Sequence, residues 1–272
     1  MSPQAETKAV ADPERPVHIV FVGAGAVGCF YASRLHHPSH NIHVSLIARS
    51  NYKALAENGV HLQTHTFGDY TFRPHAVFPS VTAAAAHPSP SGTGPHEWDF
   101  IIVTTKALPD RSDDSALITP LVGPKSCIVL IQNGVGVEEP YRTRFPATPI
   151  ISAVTALQSA ATICATNLSN WWTTHGLIRD VELTDELGLQ LVRWHKLCIN
   201  AAFNPSSILS GGRGNADMVL DPELRIHLSG VMREIWEAAP RILGGRGFPG
   251  YMASPERILK STERNTGSRP RS

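Results

Sequence analysis

Charge imbalance is the first thing this sequence lacks. Its 272 residues carry 24 Lys plus Arg against 23 Asp plus Glu, a formal net charge of +1. A nucleic-acid binder normally needs a basic face, so the balance argues against one. Charged residues make up 17% of the chain, against a usual ~25%. Hydrophobic residues reach 42%, enough for a sizeable core, which excludes wholesale disorder. No apolar run approaches the ~18 residues of a membrane span. The four cysteines, Cys29, Cys127, Cys164 and Cys198, lie far apart with no CxxC pair, which excludes a disulfide scaffold and a zinc ribbon. Residues 1–16 are polar with mixed charge and lack the apolar stretch of a secretory signal, so they read as a disordered tail. The sequon Asn167-Leu168-Ser169 carries no weight without export. A reduced, cytoplasmic protein with no nucleic-acid or membrane partner is expected.

What is present is alternation. At ~150 residues per domain the length admits one large or two modest domains. Short apolar, β-branched runs at 17–22, 42–47, 100–103, 127–131 and 150–154 suit buried strands. Helical candidates lie between them at 29–35, 52–58, 114–121 and 138–145, with Gly59 as a stop. Residues 60–64 and 70–73 flank Phe67-Gly68-Asp69 as a hairpin. The Ala, Pro, Ser, Gly and His composition of 82–96 reads as a surface loop. Strands alternating with helices imply α/β architecture: a doubly wound parallel sheet over 17–185. From 186 to 272 the pattern is all-helical. One helix spans 187–203, a second opens at Asp221-Pro222 and a third at Ser254-Pro255. In the second, Leu224, Leu228, Val231, Met232, Ile235, Trp236 and Ala239 form a single apolar stripe.

Two segments carry chemistry. Gly23-Ala24-Gly25-Ala26-Val27-Gly28 directly follows a strand-like run and opens a helix, the context that a dinucleotide-binding loop requires. Its first glycine permits the tight turn, its second lets backbone approach a pyrophosphate, and its third lets helix and strand pack closely. The helix N-terminus offers free N–H groups to the phosphates. Arg49 follows the second strand, where an NAD site usually places an acid on the ribose 2′-hydroxyl. A guanidinium there can instead grip a 2′-phosphate, so NADPH is the expected cofactor.

The second segment is Arg193-Trp194-His195-Lys196 and the residues after it. Lys196, Asn200 and Asn204 are spaced by four and share one helix face. Asparagine is a poor helix-interior residue, so two in line with a lysine suggest a polar strip facing a small polar substrate. A lysine there could protonate a carbonyl oxygen as hydride reaches the carbon. The plain alternative is an exposed polar edge, with Asn204 ending the helix before Pro205. His36, His37, His40, His61 and His65 read as ordinary surface histidines, with no metal expected.

These pieces, with Thr105-Lys106 and Gln132-Asn133-Gly134 between them, resemble the ketopantoate reductase family in content and order. The resemblance implies a Rossmann domain followed by a helical substrate and dimerisation domain. It implies NADPH-dependent reduction of an α-keto acid, 2-dehydropantoate to pantoate, and a second copy of the chain as partner. Gly23, Gly25, Ala26, Val27 and Gly28 match the cofactor's phosphate loop, and Arg49 matches its 2′-phosphate contact. Lys106 and Asn133 match residues lining the cofactor cleft. Lys196 matches the catalytic lysine, and Asn200, Asn204 and Ser268 match substrate-binding positions.

The sequence also departs from that family. Residues 155–174 are shorter than its pattern, and Trp171-Trp172 stands where glycine-rich strand is expected, which requires the pair to be buried or in an interface. No counterpart of the family's late acidic residue follows Ser268, so the helical domain is expected to be truncated. Two alternatives therefore accompany the reductase: a related ketoreductase acting on another carbonyl in specialised metabolism, and a non-catalytic NADP-binding protein.

Overall fold

The computed structural model describes residues 15–89, 96–154, 156–157, 163–179 and 181–264. Residues 1–14 of the expected tail, and Ser268, lie outside them. Arg15, assigned to that tail, is tied to the fold by an ion pair to Asp99 at 2.6 Å. The chain divides into two compact units: Thr184 and the residues after it, with Asn133–Val137, form the second.

The first unit is a Rossmann sheet. Its strands are β1 (Val17–Val22), β2 (Ile42–Ile47), β5 (Val77–Phe78), β6 (Phe100–Val103), β7 (Cys127–Leu130), β8 (Ile150–Val154) and β9 (Ala156–Leu157). They lie in the order β5-β2-β1-β6-β7-β8-β9, parallel throughout except for the last pair. A separate antiparallel hairpin joins β3 (Val60–Thr64) to β4 (Gly68–Phe72). The strands are apolar on both faces because both faces are covered. Ile19 and Phe21 belong to one core cluster, and Val20 and Val22 to the opposite one, all four at 2% exposure or less.

Helices α1 (Ala26–Leu35), α2 (Tyr52–Asn58), α3 (Val81–Ala85), α4 (Asp114–Leu117) and α5 (Glu139–Arg144) connect the strands. Helix α6 (Ile163–Asn170) follows them and continues into a π turn at Trp171–His175. Helix α3 corrects the loop expected over 82–96. Its alanines are strong helix formers, Ser80 caps it by accepting the Ala83 N–H at 3.1 Å, and Val81 and Ala84 are buried. Of the tryptophan pair, one residue is inside and the other is partly buried against the same core. Trp172 is fully buried and packs edge-on against Tyr31, and Trp171 packs edge-on against Phe100.

The histidine reading needs a second correction. His36 and His37 are half-buried. The His36 Nδ1 accepts the Val44 N–H at 3.0 Å, and the His37 Nε2 donates to the Arg34 carbonyl at 3.1 Å. Both serve the turn between α1 and β2. Among the described residues, no group of three His, Cys, Asp or Glu could hold a metal ion.

The second unit contains α7 (Glu186–Leu209), α8 (Asn215–Leu220), α9 (Pro222–Ile242) and α10 (Pro255–Arg264). Cys198, Ala202 and Phe203 of α7 pack with Met218, Val219, Leu228, Met232, Ile258 and Leu259. Asp185 and Asp221 cap α7 and α9 through backbone N–H groups of their first turns. Helix α8 carries no strong periodicity, yet buries Met218 and Val219. Helix α7 does not end at Asn204. It runs on through Pro205 to Leu209, although proline removes the N–H that would bond the Ala201 carbonyl. Burial of Phe203 and Ser206 on either side holds the helical path. Among the described residues, no helix is long and apolar enough to cross a membrane.

Candidate active site

The glycine loop lies in the first unit, at the carboxyl ends of the paired strands β1 and β6. Strand order reverses there, and ligands of open α/β sheets bind at the carboxyl ends of such strands. Gly23 takes φ +113°, a conformation that strongly favours glycine. Its N–H donates to the Ile47 carbonyl at 3.3 Å. The Thr104 hydroxyl donates to the Gly23 carbonyl at 2.6 Å, and the Asn51 amide donates to the Ala24 carbonyl at 2.8 Å. These bonds fix the loop before any ligand arrives. Thr104 and Asn51 have no place in the glycine motif, and only a hydroxyl and an amide at the ends of neighbouring strands hinted at them.

The three glycines are required for different reasons. A Cβ on Gly28 would stand 2.1 Å from the Gly23 carbonyl oxygen and 2.6 Å from the Thr104 hydroxyl. A Cβ on Gly25 would meet nothing within 4 Å. The space before Gly25 is therefore open, and α1 begins there with no side chain capping it among the described residues and no acid in its first turn. Exposed N–H groups at an uncapped helix start fit a pyrophosphate. Gly25, Ala26 and Val27 are exposed, as are Arg49 and Lys106.

The two variants should consequently behave differently. Gly28→Ala is expected to destabilise the fold by about 1–3 kcal/mol, because backbone must move. Gly25→Ala should leave the thermal midpoint near wild type while weakening dinucleotide binding more than tenfold. Paired melting curves and fluorescence titrations check this, and equal stability losses in both would contradict it.

A buried polar network sets the ends of β6 and β7. The Gln132 amide donates to the Thr105 carbonyl at 3.1 Å and to Asp114 at 3.1 Å. The Thr105 hydroxyl donates to the same Asp114 carboxylate at 2.6 Å. Gln132 is buried, so its amide is tied down by these bonds, whereas Asn133 beyond it is exposed.

The lysine–asparagine strip lies in the second unit. Lys196 and Asn200 are half-buried on α7, and Asn204 is exposed one turn further on. Arg193, one turn before Lys196, is almost fully buried and donates through Nη1 to the Gly134 carbonyl. It thereby fastens the Asn133–Val137 segment to α7. Burial pushes the Lys196 ammonium below the ordinary lysine pKa, and the Arg193 guanidinium pushes it the same way. Arg193 was not singled out from sequence.

His195 faces another way. Its Nε2 donates to the Ala253 carbonyl at 2.9 Å, and its ring meets Trp236 and Phe248 at about 6 Å, an ordinary edge-on spacing. It joins α7 to the loop before α10 and supports the fold.

A nucleotide-type Rossmann unit and an all-helical unit presenting a lysine–asparagine strip define a class of two-domain oxidoreductases. Residues 19–176 match the family Ketopantoate reductase PanE/ApbA, and residues 188–270 match its C-terminal counterpart. The chain belongs to the ketopantoate reductase family. A 2-dehydropantoate 2-reductase of Methylococcus capsulatus has a similar crystal structure, with TM-score 0.72 and 27% identity over 93% of this chain and 81% of that one. The 2-dehydropantoate 2-reductase of Nostoc is 24% identical over 259 residues, covering 84% of this chain and 73% of that protein. A meiotically up-regulated protein of Schizosaccharomyces pombe is 31% identical over 140 residues, 51% of this chain. This chain matches only 23% of that relative's length.

Proposed function

We propose that this protein is an NADPH-dependent reductase of an α-keto acid, with 2-dehydropantoate as substrate and pantoate as product. The observation that carries the reading is Lys196. It is a half-buried lysine with a lowered pKa, in line with Asn200 and Asn204 on one face of α7, in a chain whose other unit holds a dinucleotide loop.

NADPH, when bound, supplies hydride to the substrate's carbonyl carbon. The chain's own residues do the rest. The Lys196 ammonium donates a hydrogen bond to the carbonyl oxygen and gives up its proton as negative charge develops there, so the ketone becomes a secondary alcohol. The Asn200 and Asn204 amides, with Ser268, orient the substrate's hydroxyl and carboxylate. The backbone N–H groups of Gly25, Ala26 and Val27 would hold the pyrophosphate, in a loop that Gly23 and Gly28 shape. Arg49 would grip the 2′-phosphate, while Lys106 and Asn133 would line the cofactor cleft.

The test is an NADPH oxidation assay with 2-dehydropantoate, run beside NADPH and NADH titrations. Turnover with NADPH, and tighter binding of NADPH than NADH, are expected. Arg49→Ala should weaken NADPH binding about tenfold or more while leaving NADH binding unchanged. Turnover confined to a different carbonyl would transfer the reading to a related ketoreductase. Dinucleotide binding without turnover of any branched α-keto acid would refute the catalytic assignment.

A further inference from the structure

Strand order sets the direction in which an extended dinucleotide would run. β2, β1, β6 and β7 are neighbours in that order, so the loop after β1 has the end of β2 on one side and the ends of β6 and β7 on the other. A cofactor with its 2′-phosphate at Arg49, after β2, and its pyrophosphate on the glycine loop carries its nicotinamide half towards β6 and β7. Lys106 and Asn133 follow those two strands, and both are exposed. Each comes directly after a residue that is tied down.

The tie is made at Asp114, the first residue of α4. One of its carboxylate oxygens, Oδ2, accepts the Thr105 hydroxyl at 2.6 Å and the Gln132 amide at 3.1 Å. The same amide donates to the Thr105 carbonyl at 3.1 Å, and the Gln132 Oε1 accepts the Tyr141 hydroxyl at 3.5 Å. Gln132 and Tyr141 are buried. A peptide unit is planar, so holding the Thr105 carbonyl fixes the plane it shares with Lys106. Holding both ends of the Gln132 amide fixes the chain just before Asn133. A carboxylate is otherwise a poor neighbour for an anionic cofactor. It serves here because a charged acceptor makes hydrogen bonds about twice as strong as a neutral one.

We propose that Asp114 is a positioning residue for the nicotinamide half of the dinucleotide, acting through Thr105 and Gln132 on Lys106 and Asn133. The inference rests on the reading of the chain as an NADPH enzyme and adds to it a residue that touches neither cofactor nor substrate. Asp113, its neighbour, is occupied differently. It caps α4 through the Ser115 and Ala116 N–H groups and pairs with Arg144 at 2.8 Å.

Two ligands separate positioning from general stability. NADPH spans both halves of the site, whereas adenosine 2′,5′-bisphosphate carries only the adenosine half and its 2′-phosphate. Asp114→Ala is expected to weaken NADPH binding about tenfold and to leave the bisphosphate within about twofold of wild type. Asp114→Asn keeps an acceptor oxygen and should hold both ligands within about threefold of wild type. Thr105→Val removes one donor and should show the same one-sided loss at smaller size. Asp113→Ala should lower the thermal midpoint without separating the two ligands. Calorimetric titrations beside melting curves measure all of these. Unchanged NADPH affinity in Asp114→Ala overturns the proposal, and so does an equal loss of both ligands, which marks a general loss of structure. Wild-type protein that binds neither ligand would overturn the NADPH reading itself, and the proposal with it.

Discussion

Lys196→Ala is expected to lower kcat for α-keto acid reduction by about 10²–10⁴-fold, the range of a lost general acid, with the Kd for NADPH unchanged. The split follows from where the residue sits. Lys196 belongs to α7 in the helical unit, whereas the glycine loop is built by β1, α1, Thr104 and Asn51 in the other. The lysine must be protonated to act, so the rate should fall as pH rises through its pKa. Burial and the Arg193 charge move that limb below the ordinary lysine value of about 10.4. Arg193→Gln should move the limb upward, because one of the two causes is removed. Pre-steady-state NADPH oxidation across pH, with fluorescence titration of NADPH, measures both effects. An unchanged kcat in Lys196→Ala would remove the lysine from the mechanism.

The second large effect concerns acid stability. His18, His43, His75 and His96 crowd the N-terminal end of the sheet. His18 lies 4.5 Å from His96 and 5.7 Å from His43, and His43 lies 4.9 Å from His75, centroid to centroid. Burial is the first cause of depression at His18 and His36, and neighbouring histidine charge adds to it, bringing both to about 4. His75 and His96 are lowered as well. A histidine whose folded pKa lies below its unfolded value of about 6.5 binds protons preferentially when unfolded. Its contribution to stability is complete above pH 6.5 and falls away as pH drops towards 4.

Summed over His18 and His36, and reduced for solvent screening, the loss is on the order of a few kcal/mol, a large share of a domain's stability. Asp99 opposes it only weakly and only at the acid end, since burial raises its carboxyl and a raised acid favours the folded state as pH falls. Arg15, paired to Asp99, adds positive charge beside His18 and sharpens the effect. Denaturant midpoints should fall steeply between pH 6.5 and 4.5, and His18→Asn should flatten the slope. A midpoint independent of pH over that window would contradict the argument.

Much of the site can be read from residue spacing because its signals are local. The glycine loop needs only a strand before it and a helix after it. The Lys196–Asn200–Asn204 strip needs only a spacing of four. Asp221-Pro222 announces α9 by capping chemistry alone, and the stripe from Leu224 to Ala239 supplies its buried face. Where local signals were weak or in competition, the expectation failed. The alanines of α3 lay next to a Pro- and Ser-rich stretch that masked their helix preference, and Pro205 hid the last turn of α7.

The sequence by itself determined the Rossmann pattern, the strand–glycine loop–helix turn and the lysine–asparagine face, because each depends on neighbours two to four residues apart. Only the tertiary structure decided which distant residues meet. It set Thr104 and Asn51 on the glycine loop, Arg193 on Gly134, and four histidines at one end of the sheet. The physical reason is strand order. Placing β1 between β2 and β6 brings together residues that no periodicity connects. The near-neutral net charge, uninformative as a total, becomes local in the folded chain: a buried arginine beside a lysine with a lowered pKa, and histidines held uncharged.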